Sequence, residues 1–153
     1  MSQYITIYAK SKRKGDYIEI DSFSGNSKFF NFLEDFARYE EMTSLSSENL
    51  SEIKENLSLS IEHCKESLNN FNNRKELIVK CNNSLEEKLK ELDYLDDSVE
   101  ETKEELDELK RCYSLSTTLE IMLDTDRYAE EEYSYGCTLW LAYETSPHYH
   151  EEE

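Results

Sequence analysis

An apolar side chain, an aromatic ring or a thiol recurs at every seventh position through the middle of this chain. A seven-residue repeat is the period of a helix that packs against another helix along one seam. The second seam position is less regular, because Ile61 and Leu68 are shifted by one residue from the frame that Ile53 sets. The sequence therefore predicts long helices paired as a coiled coil. The positions of the repeat are Leu50, Leu57, Cys64, Phe71, Ile78, Leu85, Leu92, Val99, Leu106 and Tyr113.

Two arrangements satisfy this repeat. One is a single helix on the order of 100 Å long that pairs with a second copy, and the other is an antiparallel helical hairpin within one chain. A hairpin needs a turn, and Ser84 with Glu87, or Ser98 with Glu101, supplies the capping box that begins a new helix. We favour the turn at Ser84 because it divides residues 47–125 into arms of similar length. The chain is then a monomer, or a homodimer through the coiled coil.

The two ends of the chain have the character of strands. Residues 3–7 and 17–20 are rich in β-branched and aromatic side chains and flank a basic segment, which indicates a β-hairpin. Residues 137–143 form a third apolar run, between Gly136 and Pro147. A short amphipathic helix within residues 27–39 is expected to cover the sheet, since two strands alone are not stable.

Together these elements predict an α+β fold that is mainly α: a small three-stranded antiparallel sheet, a short helix and a long helical hairpin. We expect one domain over residues 1–153. Its base comprises residues 1–42 and 126–145, and its arm comprises residues 47–125. Residues 146–153 are expected to form a flexible acidic tail.

The charge of the chain restricts its partners. Thirty-five Asp and Glu residues against 17 Lys and Arg give a net charge of -18. This charge repels the phosphates of nucleic acids and of anionic membranes, so we expect no direct binding to either. No run of about 20 apolar residues could cross a bilayer, and residues 1–14 lack the apolar core of a signal peptide. We therefore expect a protein of the cytoplasm.

The sequence offers little for catalysis. It has no nucleophile elbow, its 3 glycines cannot form a phosphate-binding loop, and its 4 cysteines form no CxxC pair. His148 and His150 stand beside three terminal glutamates, but too few ligands converge to hold a metal. We expect no enzyme activity, no catalytic residues, no metal and no cofactor.

The acidic residues are concentrated in two regions. Residues 84–108 carry 12 acids against 3 lysines, and many of these acids stand four residues apart, where like charges repel. That density is one carboxylate per roughly 3 Å of helix axis, close to the ~3.4 Å between phosphates along one DNA strand. The partner-binding candidates here are Asp97, Glu100, Glu101, Glu104, Glu105 and Glu108. The alternative is a solvated outer face of a coiled coil.

The second acidic region, residues 124–153, has a net charge of -8 and interleaves its acids with tyrosines. Carboxylates can replace phosphates, and aromatic rings can replace stacked bases. The partner-binding candidates in this region are Glu130, Glu131, Glu132, Tyr133 and Tyr135. The alternative is that most of these tyrosines belong to the core of the sheet.

Three segments carry a resemblance to a group of proteins: residues 1–8, the polar turn at residues 22–27, and Asn82-Asn83-Ser84-Leu85-Glu86-Glu87-Lys88. In them the chain resembles uncharacterised small acidic proteins of phages and mobile elements of low-GC Gram-positive bacteria. In size and charge it is also similar to anti-CRISPR and other anti-defence proteins. The resemblance implies a phage origin and an inhibitor that binds a nucleic-acid-binding host defence protein, such as a nuclease or an effector complex.

Two other functions fit the sequence. A coiled-coil structural or oligomerisation adaptor would use its charge only for solubility. An inhibitor could also bind through the aromatic end of the sheet, or through the basic loop that contains Lys12, Arg13 and Lys14, without mimicking nucleic acid.

Overall fold

The computed structural model describes residues 2–11, 15–124 and 137–145. The fold is α+β and mostly helical, as predicted. The chain forms two compact units, the first from Met1–Asn56 with Cys112–Glu153 and the second from Leu57–Arg111. The elements in chain order are β1 (Gln3–Ser11), β2 (Tyr17–Ser24), α1 (Lys28–Glu34), β3 (Met42–Leu45), α2 (Ser47–Lys80), α3 (Leu85–Asp124) and β4 (Cys137–Thr145).

The antiparallel sheet of the first unit has four strands in the order β2-β1-β4-β3, so the prediction of three strands is wrong. The strand that the sequence did not reveal is β3, Met42–Leu45, which pairs with β4 from Ala142 to Leu139. Thr43 and Ser44 have the composition of a polar linker, and only Leu45 is fully buried. Backbone pairing with β4, rather than a side-chain pattern, makes this segment a strand.

One face of the sheet forms the core of the first unit. Ile5 and Ile7 of β1 lie beside Leu141 of β4, and none of the three is accessible to solvent. Helix α1 covers this face as predicted, because the ring of its Phe29 packs edge-to-face against Phe23 with 5.0 Å between centroids. The helix ends at Glu34. It is therefore shorter than the aromatic spacing over residues 27–39 indicated.

Helices α2 and α3 are separated by residues 81–84, which is the turn that we favoured. The hydroxyl of Ser84 accepts a hydrogen bond from the backbone N–H of Glu87 at 3.3 Å, as an N-cap does. The second candidate turn lies inside α3. There the Ser98 hydroxyl donates to the backbone carbonyl of Tyr94 at 3.2 Å, a pattern found within continuous helices.

Within the second unit the two helical segments run antiparallel. The thiol of Cys64 donates to the Glu105 carboxylate at 3.5 Å, and Lys75, further along α2, forms an ion pair with Asp96, which comes earlier in α3. Seam residues such as Leu106 are buried, whereas Leu85 is 73% exposed. Packing of the coiled-coil type stays a prediction, and so does the division into one domain.

The cap at Ser84 leads to a prediction about stability. Ser84→Ala removes the acceptor for the Glu87 N–H and should lower the free energy of unfolding by about 1 kcal/mol. The matched control is Ser98→Ala, which should leave stability unchanged or slightly higher because alanine is a better helix former. Urea unfolding followed by circular dichroism measures both. An equal loss in the two variants would contradict the assignment of the cap.

Candidate functional site: an acidic surface on α3

Four of the predicted partner-binding residues share one exposed surface of α3, which we call the acidic ridge. The ridge consists of Asp97, Glu100, Glu101 and Glu104, all exposed. At 100° per residue these positions fall within about 100° of arc on the side of the helix opposite the buried seam. Leu95, Val99, Leu106 and Leu109 form that seam, and each is at most 8% exposed. The helix is therefore apolar and buried along its seam, and acidic and exposed along its ridge.

The remaining two candidates on α3 have a different environment. Glu105 is half-buried, and its carboxylate accepts the hydrogen bond from the Cys64 thiol. Glu108 is also half-buried. Glu105 therefore joins α3 to α2 within the second unit, in addition to any role in binding. Their spacing in the sequence groups all six acids together. Only the burial of the side chains distinguishes the four exposed acids from Glu105 and Glu108.

The ridge carboxylates have no side-chain partner among the described residues. In the described part of the chain, none of the four forms a side-chain hydrogen bond or an ion pair with another residue. Asp97 stands three residues from Glu100 and four from Glu101, and Glu104 stands four and three residues from the same two acids. The ridge therefore contains four like-charge pairs at the spacings where side chains meet. Repulsion within these pairs destabilises the helix. A cationic partner surface would relieve it.

The two helical segments of the second unit differ in charge. Residues 57–80 of α2 carry 3 acids and 4 bases, whereas residues 85–111 of α3 carry 12 acids and 5 bases. The negative charge therefore lies on one helix and is not spread evenly over the unit. A charge distribution that served solubility alone would not require this asymmetry.

The acids that do have partners serve the structure. In the first unit, the Glu120 carboxylate lies 2.7 Å from the Lys54 ammonium, and this hydrogen bond raises the pKa of Lys54. The Tyr143 hydroxyl lies 2.8 Å from Glu34 Oε2 and 3.0 Å from the amide oxygen of Gln3. Burial, with the nearby Glu34 carboxylate, raises the pKa of Tyr143. These contacts fix neighbouring elements to one another.

The candidates of the second acidic region lie outside the described residues. They are Glu130, Glu131, Glu132, Tyr133 and Tyr135. The same holds for Lys12, Arg13 and Lys14 of the basic loop and for the tail at residues 146–153. Binding through these segments stays a prediction.

Neither the metal-ligating residues that the structure describes, nor the hydropathy of the helices, nor comparison with known proteins indicates a further site. Among residues 2–11, 15–124 and 137–145, no three His, Cys, Asp or Glu side chains are grouped so that they could hold a metal ion. No helix in the same ranges is long and apolar enough to cross a membrane. Comparison of the chain with protein-family models, with curated proteins and with solved structures finds no match. The resemblance to phage proteins therefore stays a prediction.

Repulsion along the ridge leads to a prediction about stability. Glu104 has acidic neighbours three and four residues away on both sides, namely Glu100, Glu101, Asp107 and Glu108. Glu104→Lys converts these repulsions into attractions and should stabilise the fold by on the order of 1 kcal/mol at low salt. The gain should shrink at 1 M salt, where the Debye length is only about 3 Å. Thermal unfolding at both salt concentrations measures it.

The control for this prediction is Glu76→Lys on α2, which changes the net charge by the same amount. Glu76 stands four residues before Lys80. The substitution therefore replaces an attractive pair with a repulsive one, and stability should fall or stay constant. An equal gain in both variants would mean that the net charge of the whole chain, and not the ridge, is responsible.

Proposed function

We propose that this protein is a phage-encoded inhibitor of a bacterial defence complex of the CRISPR type or of another nucleic-acid-binding type. It binds its target without turnover and occupies a basic channel that otherwise holds nucleic acid. The target is a nuclease or effector complex in the cytoplasm of the host bacterium. The observation that supports this proposal is the acidic ridge, whose carboxylates are exposed and have no described structural partner.

The spacing of charge supports mimicry. Helix α3 rises about 1.5 Å per residue, so its acids between Glu86 and Glu108 provide one negative charge per roughly 3 Å of axis. Successive phosphates along a DNA strand are about 3.4 Å apart. Lys and Arg side chains placed along a channel to neutralise phosphates therefore meet carboxylates at a similar interval. Binding of this kind releases counterions and weakens as salt is added.

The rigidity of α3 also supports mimicry. The ridge lies on a helix that is unbroken from Leu85 to Asp124. Its first turn is capped by Ser84, and the Lys75–Asp96 pair holds it to α2 close to the ridge. The backbone that carries the carboxylates is ordered before binding, which reduces the entropy lost when a complex forms. A disordered acidic tail would lose more.

The test of this proposal compares two variants of equal charge. The ridge variant carries Asp97→Asn, Glu100→Gln, Glu101→Gln and Glu104→Gln. The control variant carries Glu52→Gln, Glu55→Gln, Glu66→Gln and Glu76→Gln, which neutralise exposed acids of α2. Each is added to a purified CRISPR effector complex, and displacement of target DNA is followed by gel shift. The ridge variant should inhibit at least about tenfold more weakly than the unaltered chain, a loss of 1.4 kcal/mol or more.

The control variant should inhibit nearly as well as the unaltered chain, and inhibition by the unaltered chain should weaken steeply as salt is added. Plaque counts on a low-GC Gram-positive host with active CRISPR immunity give the same comparison in cells. The proposal is wrong if the ridge variant inhibits as strongly as the unaltered chain, or if added salt has no effect.

A second candidate function is a coiled-coil adaptor that oligomerises. Large apolar side chains are more than half exposed on both sides of the turn between α2 and α3. Leu85 and Leu89 stand four residues apart on α3, so their side chains are neighbours, and neighbouring exposed apolar residues can mark an interaction site. They support association of the helices with a second copy or another protein. These residues are Leu77, Val79, Leu85, Leu89 and Tyr94.

The oligomeric state separates this candidate from the first. An adaptor should be a dimer or larger by light scattering at micromolar concentration, and Leu85→Gln with Leu89→Gln should convert it to a monomer. Both side chains are more than half exposed, so the fold should tolerate the change. A chain that is monomeric before substitution would exclude the homo-oligomeric adaptor. Retention of the oligomer in the double variant would show that these leucines do not form the contact.

A further inference from the structure

The face of the sheet opposite the core carries aromatic and charged side chains, because alternate residues of a strand point to opposite faces. We call it the open sheet face. Tyr17 of β2 and Met42 of β3 are 47% and 43% exposed there, and Glu19 and Glu144 are exposed as well. The strand register also places Tyr8, Lys10 and Trp140 on this face.

Three aromatic rings on this face form one cluster across three strands. The Tyr17 ring meets Tyr8 edge-on with 6.2 Å between centroids, and meets Trp140 edge-on at 6.4 Å. The Lys10 ammonium lies 5.1 Å from the centroid of Tyr17. This distance is that of a cation–π contact, so a ring of the cluster already holds a positive charge.

Two carboxylates flank the cluster. Glu19 pairs with Tyr8 across β2 and β1, and Glu144 pairs with Tyr4 across β4 and β1. Burial, followed by the negative charges of Glu144 and Glu19, raises the pKa of Tyr8, so both carboxylates act on the same hydroxyl. Among the described residues of this face, Lys10 supplies one positive charge against these two negative charges. The described residues therefore combine aromatic rings with an excess of negative charge.

We propose that the open sheet face binds an arginine side chain presented by a partner protein. A guanidinium group is planar, stacks on aromatic rings, and donates paired hydrogen bonds to a carboxylate. The rings of Tyr8, Tyr17 and Trp140 provide the stacking surface. Glu19, opposite Tyr8 in the register, provides the acceptor, and Glu144 adds negative charge. This site belongs to the first unit and is separate from the acidic ridge, so it does not depend on the function proposed for the ridge.

Charge favours an arginine side chain on this face over a second copy of the chain and over nucleic acid. A second copy of the chain would bring Glu19 or Glu144 towards acids of another molecule that itself carries a net charge of -18. Nucleic acid would meet the same carboxylates with its phosphates. A lysine has the right sign and can make a cation–π contact, but its compact ammonium has no plane to lie against a ring and cannot bind a carboxylate with two parallel hydrogen bonds.

The tryptophan on this face allows a direct measurement, because it is the single tryptophan of the chain. Its indole N–H donates to the Thr138 hydroxyl at 2.9 Å. The ligands are three tripeptides with blocked ends: Gly-Arg-Gly, Gly-Lys-Gly and Gly-citrulline-Gly. The side chain of citrulline is neutral. The ridge variant serves as the protein, so that attraction to the ridge is absent. The arginine peptide should change Trp140 fluorescence and the NMR shift of its indole N–H saturably, in the millimolar range.

The lysine peptide should bind several-fold more weakly, and the citrulline peptide should cause no saturable change. Tyr17→Leu and Glu19→Gln should each weaken arginine binding several-fold. Their controls are Tyr94→Leu and Glu66→Gln, which alter exposed residues of the second unit and should change nothing. Lys10→Met removes the competing internal cation and should strengthen binding. Because Tyr17 and Glu19 are exposed, the variants should fold, and circular dichroism checks this.

Three results would overturn the proposal. Equal responses to the arginine and citrulline peptides would show that charge is not recognised. Unchanged binding in the Tyr17→Leu and Glu19→Gln variants would place the peptide elsewhere. A fluorescence change that depends on protein concentration in the absence of peptide would assign this face to a second copy of the chain.

Discussion

The pairing of β4 with both β1 and β3 is the constraint on which the rest of this structure depends. It joins the end of the described chain to its beginning, since Thr145 lies opposite Gln3 in the register. Helix α2 begins two residues after β3, and the Cys137 thiol at the start of β4 donates to the carbonyl of Met122 in α3 at 3.4 Å. Both helices are thus anchored in the first unit at the ends remote from their turn. A single straight helix through residues 47–124 would not satisfy these contacts.

Seven acids of α3 fall into two classes by what they contact. Asp96, Glu105 and Glu120 have partners on α2, and each joins the two helices within its own unit. The four acids of the ridge have no such partner among the described residues and repel one another along the helix. Contacts between the helices explain the first class. The second class has no side-chain contact among the described residues, and binding to a basic surface is the role that we propose for it.

Both proposed surfaces would bind cationic side chains, but through different interactions. The ridge offers a row of similar charges and would attract lysine and arginine alike, over a range that salt shortens. The open sheet face combines rings with carboxylates and would favour the flat guanidinium group at short range. Proteins that hold nucleic acid present many such cations. The two surfaces are therefore compatible with one class of partner, although each is tested separately.

Much of the fold follows from patterns within the sequence. The apolar repeat predicted the helices, Ser84 with Glu87 predicted the turn, and the residues around Ile5, Ile18 and Leu141 predicted three of the strands. These signals are local, because they depend on residues within a few turns or positions of each other. The spacing likewise placed six candidate acids on α3, of which four are exposed and two are half-buried.

Only the tertiary structure decided the remainder. Met42–Leu45 is a strand because β4 lies beside it, and nothing in its own side chains requires this. Glu105 is half-buried because the Cys64 thiol of another helix meets it, whereas Leu85 occupies a seam position and is exposed. The cluster of Tyr8, Tyr17 and Trp140 unites residues far apart in the chain. The sequence determines which segments are helical or extended, and long-range contacts determine which surface each side chain joins.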